Sequence, residues 1–467
     1  NKASVTPFMY VAANARKNAT AKTKVENIIV FFMYLPWTSF HPGFPRCGGD
    51  VEKHVKKESS VPSIFANLQT SFNSLIKAIK KIVFSLVLSI MARFVSAQIY
   101  VWKDGNVLLE NPDSVTFVEP DLGLQVTDEI SNGLMSFKYQ TKDNNGMPIW
   151  MSATLQLTPA QLSSKRVGKM AMYNHYSIMS AEEAPTAGKS DLQLAPYAMG
   201  MAVVSADCQG FGETDNMMQA YCFGEANARA SIDALLAARE WLLSEGYTLG
   251  DTILNYGYSQ GGQTTVAAVK LSQSDEYRGR VHFTKSIAAA GPHDLQLTYR
   301  SFIENETLGM PQALALTIIA NNELLGLGLK YSDIFQKPLS DHWNGWFLSK
   351  KFSSDEISDL IGTNEIASIM KPAYLDVNSE ETQTLLNAVK VHDLTSGWTP
   401  DADTDILIMH SQNDDVVPYA NSEKLYQFFV NAGVQNVQFD NTYLKNDHET
   451  SGTDFFLYLV TKFLPKW

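Results

Sequence analysis

Hydrophobic and polar residues alternate in two patterns along residues 121–467. Short apolar runs, typical of buried strands, are separated by longer segments whose apolar residues repeat every three or four positions, as in amphipathic helices. The segment 226–243 shows the helical pattern clearly, with Ile232 and Leu235 on its apolar stripe. Strands that alternate with helices form parallel sheets with right-handed crossovers. The sequence therefore predicts an α/β fold, with a mostly parallel sheet flanked by helices.

The elements predicted from these patterns follow one another along the whole segment. The predicted strands are residues 122–126, 134–141, 149–157, 167–174, 202–206, 253–256, 281–290, 405–410 and 437–443. The predicted helices are residues 192–199, 226–243, 264–271, 311–325, 354–360, 380–391 and 453–463, with another beginning near Pro418. The first three strands are expected to be antiparallel, with a hairpin turn at 143–146.

One predicted strand and helix are joined by a turn with a serine between two glycines, Gly257-Tyr-Ser-Gln-Gly261. This is the G-x-S-x-G pattern of a nucleophile elbow. The glycines let the strand and the helix pass closely, and the turn holds Ser259 in a strained backbone conformation. The Gln260 N–H then lies at a helix N-terminus, where it can stabilise an oxyanion. The alternative is an ordinary surface turn, which the flanking strand and helix disfavour.

A serine nucleophile needs a histidine and an acid, and the pattern expects them later in the chain. Asp414 and Asp415 follow the strand 405–410, and the spacing to Val-Val-Pro favours Asp414 as the acid. The alternative is that both are solvated acids of a loop that caps the next helix. Of the nine histidines only His448 lies after Asp414, in a polar loop before the last helix. The predicted triad is therefore Ser259, Asp414 and His448.

The connection between strands 281–290 and 405–410 is about 115 residues long, far longer than an ordinary crossover. Its pattern is rich in helices, and it precedes the acid loop. The sequence therefore predicts a helical cap over residues 291–400, close to the mouth of the site. The alternative is a structural addition remote from the chemistry. Trp343 and Trp346 are expected to be exposed and are the predicted aromatic wall of a substrate pocket, although packing within the cap would explain them as well.

The balance of charge changes sharply near residue 97. Residues 1–97 contain 13 Lys and Arg and 4 Asp and Glu, whereas the rest of the chain contains 24 and 45. Strong negative charge in the rest of the chain disfavours nucleic acid and anionic membranes as partners. We therefore expect neither as a partner; the sequence does not indicate an oligomeric state.

A signal peptide is predicted at residues 75–97. Three lysines are followed by the apolar run 82–92 and by a small-x-small pattern that ends at Ala97. The alternatives are a buried amphipathic helix or a membrane anchor, but the run is short for a bilayer span. We expect cleavage after Ala97, a secreted or periplasmic protein with no stable membrane anchor, and a short β lead-in at 98–120. Residues 1–74 are expected to be an upstream segment outside the mature protein.

No motif of the sequence indicates a cofactor or a metal site. Cys208 and Cys222 are the only cysteines after residue 97, too few for a thiolate zinc site. They could pair in an oxidising compartment or remain free thiols. We expect no cofactor and no metal.

The order of Gly257-Tyr-Ser-Gln-Gly261, Asp414 and His448 resembles the α/β-hydrolase superfamily over about residues 121–467. The helical insertion and the loop 207–212 resemble its secreted lipases and esterases of the lipase-A-like type. The resemblance implies an α/β-hydrolase domain over 121–467 with a helical cap inserted before the acid strand, and a small-molecule ester as the partner.

The second oxyanion donor is expected in the loop after strand 167–174. Tyr176 follows His175 where many relatives have Gly. The Tyr176 N–H is the predicted donor beside that of Gln260, and the Ser177 N–H is the alternative.

These features together predict a secreted serine hydrolase that cleaves carboxylic esters through an acyl-enzyme. One alternative is a serine peptidase of the same fold, although such enzymes often carry an additional β-rich domain for which this chain is too short. A third possibility is a binding protein on a hydrolase scaffold, which all three triad residues disfavour.

Overall fold

A computed structural model of the protein describes residues 125–126, 133–187 and 194–467. The predicted upstream segment 1–74, signal peptide 75–97 and lead-in 98–120 lie outside the described residues. Most of the predicted strand 122–126 and the start of the predicted helix 192–199 also lie outside them.

Nine strands of the described residues form one sheet. They are β1 (Gln125–Val126), β2 (Leu134–Lys142), β3 (Pro148–Gln156), β4 (Arg166–Asn174), β5 (Ala202–Ala206), β6 (Thr248–Tyr258), β7 (Lys285–Ala289), β8 (Asp405–Met409) and β9 (Asn436–Asp440). Their order is β1-β2-β3-β5-β4-β6-β7-β8-β9. The pairs β1/β2, β2/β3 and β3/β5 are antiparallel, and every later pair is parallel. The prediction of a mostly parallel sheet with antiparallel first strands is confirmed.

Thirteen α-helices lie among the described residues. They are α1 (Pro159–Ser164), α2 (Leu194–Ala198), α3 (Gly224–Ser244), α4 (Gln260–Ser272), α5 (Leu295–Glu304), α6 (Pro311–Leu325), α7 (Tyr331–Ile334), α8 (Leu339–Trp343), α9 (Ser354–Ile361), α10 (Ile366–Ile369), α11 (Glu380–Val389), α12 (Ala420–Asn431) and α13 (His448–Tyr458). None of these helices has the length and apolar character needed to cross a bilayer.

Both faces of the sheet are covered by helices, as its apolar composition requires. On one face, α3 and α4 bury residues such as Ile232 and Val266 against the strands. On the other face, α2 and α13 pack on the sheet, where Phe456 of α13 meets Tyr173 of β4 edge to face. The parallel strands are therefore buried on two sides, and their carboxyl ends meet at one edge.

The connection between β7 and β8 contains the helices α5 to α11 and has an apolar core of its own. That core includes Leu314 and Ile318 of α6, and it also includes Tyr221, Val416 and Val417 from loops of the main domain. The insertion is therefore packed against the loops at the carboxyl edge of the sheet.

Several element boundaries differ from the sequence prediction for local reasons. Strand β9 ends at Asp440 rather than at 443, because the Asp440 carboxylate accepts the backbone N–H groups of Thr442 and Tyr443 and makes a turn. Strand β7 begins at Lys285 rather than at 281, because its pairing with β6 starts at Lys285. Helix α4 begins at Gln260, directly after the serine.

The last helix also begins earlier than predicted. The sequence suggested that His448 lies in a loop, but it is the first residue of α13. Asp447 causes the early start, because its carboxylate accepts the N–H of Thr450 at 2.8 Å and caps the helix.

Candidate active site

The turn between β6 and α4 has the backbone of a nucleophile elbow. Ser259 has φ 57° and ψ −124°, a conformation that non-glycine residues rarely adopt. A Cβ atom on Gly257 would lie 2.4 Å from Gly261, and one on Gly261 would lie 2.1 Å from the Asn174 carbonyl oxygen. Gly257 is therefore required by the close approach of β6 and α4, as the sequence suggested. Gly261 is required by the close approach of α4 to the end of β4.

The structure brings together the three residues predicted as a triad. His448 Nε2 lies 2.8 Å from Ser259 Oγ, and His448 Nδ1 lies 2.7 Å from Asp414 Oδ2. All three side chains are buried. A serine hydroxyl bound to an imidazole that a carboxylate orients can be deprotonated as it attacks an acyl carbon.

Asp414 is held in a loop that favours its charged form. Its Oδ1 accepts the backbone N–H groups of Val416 and Val417 at 3.0 and 2.8 Å. Burial alone would raise the pKa of Asp414, but the neighbouring His448 and hydrogen bonds from His410 and His448 outweigh it. The pKa of Asp414 is therefore lowered well below its usual value.

The contact between Asp414 and His448 also determines the pKa of His448. Burial would lower the pKa of His448, but the carboxylate of Asp414 outweighs this effect and raises the pKa. The backbone of His448 is fixed as well, because the Tyr258 hydroxyl donates to its carbonyl oxygen at 2.6 Å. Both the backbone and the ring of His448 are therefore held in place.

Two residues near the triad have contacts that sequence reasoning missed. Asp415, the rejected candidate for the acid, accepts the backbone N–H of His448 at 3.0 Å and so positions the histidine. His410 is fully buried; its Nδ1 lies 2.7 Å from Ser422 Oγ and its Nε2 lies 3.3 Å from Asp414 Oδ2. The position of His410 at the end of β8, four residues before Asp414, was the available signal.

The predicted oxyanion donors lie on two segments. Gln260 follows Ser259 at the first position of α4, and its side-chain Oε1 accepts the Cys222 N–H at 3.3 Å. In the loop after β4, Ser177 lines the cavity beside Ser259, whereas Tyr176 is not among its lining residues and is 37% exposed. The geometry thus brings the alternative donor, Ser177, closer to the site than the predicted one.

A small cavity of about 20 Å³ adjoins Ser259. Its described lining residues come from the main domain and from α5 and α6 of the cap. They are Ser177, Tyr221, Cys222, Ser259, Gln260, Pro292, Leu295, Thr298, Phe302, Met310, Ala313, Thr317, Val416 and Val417. The insertion therefore forms one side of the cavity.

The structure does not bring Trp343 and Trp346 to this cavity. Trp346 is 9% exposed within the apolar core of the cap, and the Trp343 ring lies 4.1 Å from that of Tyr331. Their predicted exposure was wrong for Trp346, because the segment Asn344–Leu348 turns that side chain inward. Their role as an aromatic wall stays a prediction that this cavity does not support.

A larger cavity, of about 500 Å³, lies elsewhere and is lined by none of the triad residues. Arginines and aspartates line this cavity, and several of them form ion pairs with each other. Arg278 and Asp401, for example, lie 3.4 Å apart. The smaller cavity beside Ser259 is the better candidate for substrate, because only it adjoins a reactive group.

The two described cysteines, Cys208 and Cys222, are free and buried. Burial raises the pKa of each thiol to about 12, so both are neutral near pH 7. Among the described residues, no group of three or more His, Cys, Asp or Glu side chains could hold a metal ion.

The model of the secretory lipase family matches residues 188–454, more than half of the chain. The matched segment contains all three predicted triad residues. No sequence among the curated proteins is detectably similar to this one.

Several solved structures are similar in fold. The rice cell wall degrading esterase LipA from Xanthomonas oryzae is 21% identical with a TM-score of 0.59, over 73% of this chain and 88% of that one. A protein of Legionella pneumophila is 19% identical with a TM-score of 0.62, over 73% and 90%. Candida antarctica lipase A is 17% identical with a TM-score of 0.51, over 68% and 74%. At these identities the similarity shows the fold, an α/β-hydrolase fold.

Proposed function

The chain belongs to the secretory lipase family, and from this premise we propose that it is a secreted serine hydrolase that cleaves carboxylic esters through an acyl-enzyme. Family membership supports ester hydrolysis as the reaction class. The observation that carries the mechanism is the 2.8 Å contact between His448 Nε2 and Ser259 Oγ, with Asp414 on the far side of the imidazole.

In the proposed reaction, Ser259 Oγ attacks the acyl carbon while His448 Nε2 takes the hydroxyl proton. The carbonyl oxygen becomes an oxyanion and is stabilised by the Gln260 N–H and by an N–H of the loop after β4. His448 then gives its proton to the leaving alcohol, and the acyl group remains on Ser259. A water molecule, deprotonated by His448, attacks the acyl carbon. The bond to Ser259 Oγ breaks, the carboxylic acid leaves, and His448 returns the proton to Oγ. Asp414 keeps the Nδ1 proton of His448 directed away from the serine throughout.

The walls of the cavity support an ester substrate over a peptide with charged side chains. None of the described residues that line it carries a formal charge, so a charged group would be buried there without a partner. The peptidase alternative predicts hydrolysis of aminoacyl amides, which we do not expect.

Labelling with a fluorophosphonate probe tests the nucleophile. The wild-type protein should react with one equivalent of probe and hydrolyse p-nitrophenyl esters, and Ser259→Ala should do neither. Ester hydrolysis that survives in Ser259→Ala would refute the assignment. Faster cleavage of aminoacyl p-nitroanilides than of the matched esters would favour the peptidase.

Secretion is part of the proposal, and it rests on the family and on the predicted signal peptide at 75–97. N-terminal sequencing of exported protein should find Gln98, or a residue within a few positions of it, as the first residue. Exported protein that retains residues 1–74 would contradict the predicted maturation.

A further inference from the structure

The space beside the proposed nucleophile is far smaller than an ordinary ligand site. Its volume of about 20 Å³ is close to what one ordered water molecule needs. Pockets for drug-sized ligands have volumes of roughly 300–1,000 Å³. An extended acyl chain therefore has no room next to Ser259.

Bulky side chains of the cap close this space. Leu295 and Phe302 of α5 lie seven positions apart and face it together, and Met310, just before α6, adds a third large apolar group. Leu295 and Phe302 are both buried. A longer chain could enter only if one of these side chains or the cap itself were displaced, which costs packing energy.

The walls of the cavity are also apolar in effect. Thr298 and Thr317 line it, but each hydroxyl donates to a carbonyl oxygen of its own helix, at 3.1 and 2.8 Å. Their hydroxyl protons are therefore not available to a ligand, and a small alkyl group fits the surface better than a polar one.

The acyl group is the part of an ester that becomes bonded to Ser259 Oγ, whereas the alcohol leaves. The acyl group must therefore fit in the space directly beside that oxygen, which is the small cavity. We propose that the protein acts on esters of short acyl groups, acetyl and propionyl, because Phe302 and Met310 close the acyl side of the site. This inference rests on the proposed ester hydrolysis and adds the substrate class.

A p-nitrophenyl ester series from acetate to laurate tests the proposal. For the wild-type protein, kcat/KM should fall about 100-fold or more from acetate to octanoate. Phe302→Ala and Met310→Ala should each raise the ratio of octanoate to acetate by about tenfold. Phe347→Ala is the matched control, since Phe347 is buried in the same cap but does not line the cavity; it should leave the ratio unchanged.

A wild-type protein that prefers octanoate or laurate would overturn the short-acyl proposal. So would Phe302→Ala and Met310→Ala variants that hydrolyse the series in the same ratio as Phe347→Ala. Failure to hydrolyse any ester, together with failure to react with a fluorophosphonate, would instead overturn the proposed function.

A second inference concerns the loop after β4 and rests on other contacts. The His175 ring is buried, with Nδ1 2.7 Å from the carbonyl oxygen of Tyr176 and Nε2 3.3 Å from that of Asp207. A neutral imidazole carries one proton, and the shorter contact assigns it to Nδ1. The Tyr176 carbonyl is thus held by the preceding residue.

The carbonyl of Tyr176 and the N–H of Ser177 belong to one trans peptide and point in opposite directions. Fixing the carbonyl therefore fixes the direction of the Ser177 N–H, which has no acceptor among the described residues. We infer that the Ser177 N–H is the second oxyanion donor and that His175 is its positioning residue.

Replacing His175 by Leu removes the Nδ1 donor, whereas His175→Asn retains an N–H at nearly the same place. The Leu variant should lose about 10- to 100-fold in kcat with little change in KM, because the interaction acts on the transition state. The Asn variant should recover most of this loss. Inhibition by an alkylboronic acid, which forms a tetrahedral adduct, should weaken in parallel with kcat/KM.

Equal kcat values for His175→Leu and the wild type would overturn the second inference. A loss in the Leu variant that appears only in KM, or an Asn variant as slow as the Leu variant, would also overturn it. Thermal unfolding of both variants separates these outcomes from a simple loss of folding.

Discussion

Replacing Asp414 by Asn removes one negative charge and leaves the size of the side chain unchanged. The carbonyl oxygen of the new amide can still accept the backbone N–H groups of Val416 and Val417, which now donate to Asp414 Oδ1. Its NH₂ group would then face His448 Nδ1, where Asp414 Oδ2 now lies at 2.7 Å. An NH₂ group needs an acceptor, so it favours the tautomer with the proton on Nε2.

That tautomer cannot take a proton from Ser259. We expect kcat to fall by about 10³–10⁴-fold, the scale found when a triad acid is made neutral. This corresponds to about 4 to 5.5 kcal/mol of lost transition-state stabilisation. The free energy of unfolding should change much less, because the shape and the backbone contacts are kept.

The pH dependence of kcat/KM gives a second readout. His448 must be neutral to act as a base, so activity is lost as the pH falls through its pKa. The Asp414 charge raises the pKa of His448 against the effect of burial. The residual activity of Asp414→Asn should therefore have a pH profile of kcat/KM whose acidic limb lies at lower pH than that of the wild type.

Asp415→Asn is the matched control, since the change is the same one position along the chain. Asp415 contacts the backbone N–H of His448 and not its ring, so we expect a loss of less than about tenfold. Steady-state kinetics on p-nitrophenyl acetate measures both variants. If Asp415→Asn were the slower variant, or if Asp414→Asn kept wild-type kcat, the reasoning about Asp414 would be refuted.

Three further predictions concern residues around the site. Burial raises the pKa of Asp207 to about 6. The contribution of this group to stability is therefore complete below about pH 4 and is lost as the pH rises through about 6. In urea titrations over this pH range, the unfolding free energy of the wild type should fall by about 3 kcal/mol relative to that of Asp207→Asn, and equal pH dependence of the two proteins would contradict the prediction. Gly262→Ala should cost at least about 2 kcal/mol in the same assay, because its Cβ would lie 2.3 Å from the Ala289 carbonyl oxygen. Gly168→Ala, with no atom within 4 Å of the new Cβ, is its control, and equal losses would argue against the close approach. Trp346→Ala should lower stability by about 3 kcal/mol without changing the preference among acyl esters, and a changed preference would restore its predicted place in the substrate pocket.

Much of the fold could be predicted because it depends on local patterns. The helix 311–325 was predicted at its observed bounds, and β4 and β5 were predicted within one residue. Helix α5 was missed, although Asp294 caps it through the N–H groups of Gln296 and Leu297. Its apolar residues Leu295, Tyr299 and Phe302 are buried within the cap, and the sequence alone does not place the cap.

The residues of the site were likewise predictable where a sequence motif or chain order indicates them, and were not predictable where packing determines them. Ser259 could be found because the elbow imposes glycines at fixed spacing, and Asp414 and His448 followed from chain order. Packing within the cap could not be read from the sequence, so Trp346 was predicted to be exposed, whereas the structure buries it. The contact between His175 and the Tyr176 carbonyl depends on one loop conformation, for which no residue pattern gave a signal.

The central claim is that Ser259 carries the acyl group during turnover, and trapping that group tests it most directly. The protein is mixed with p-nitrophenyl acetate, quenched in acid during the initial burst and digested for mass spectrometry. The account predicts one acetyl group per chain, on the peptide that contains Ser259, and none on Ser259→Ala. Acetyl groups found on another residue, or found equally on Ser259→Ala, would contradict the account.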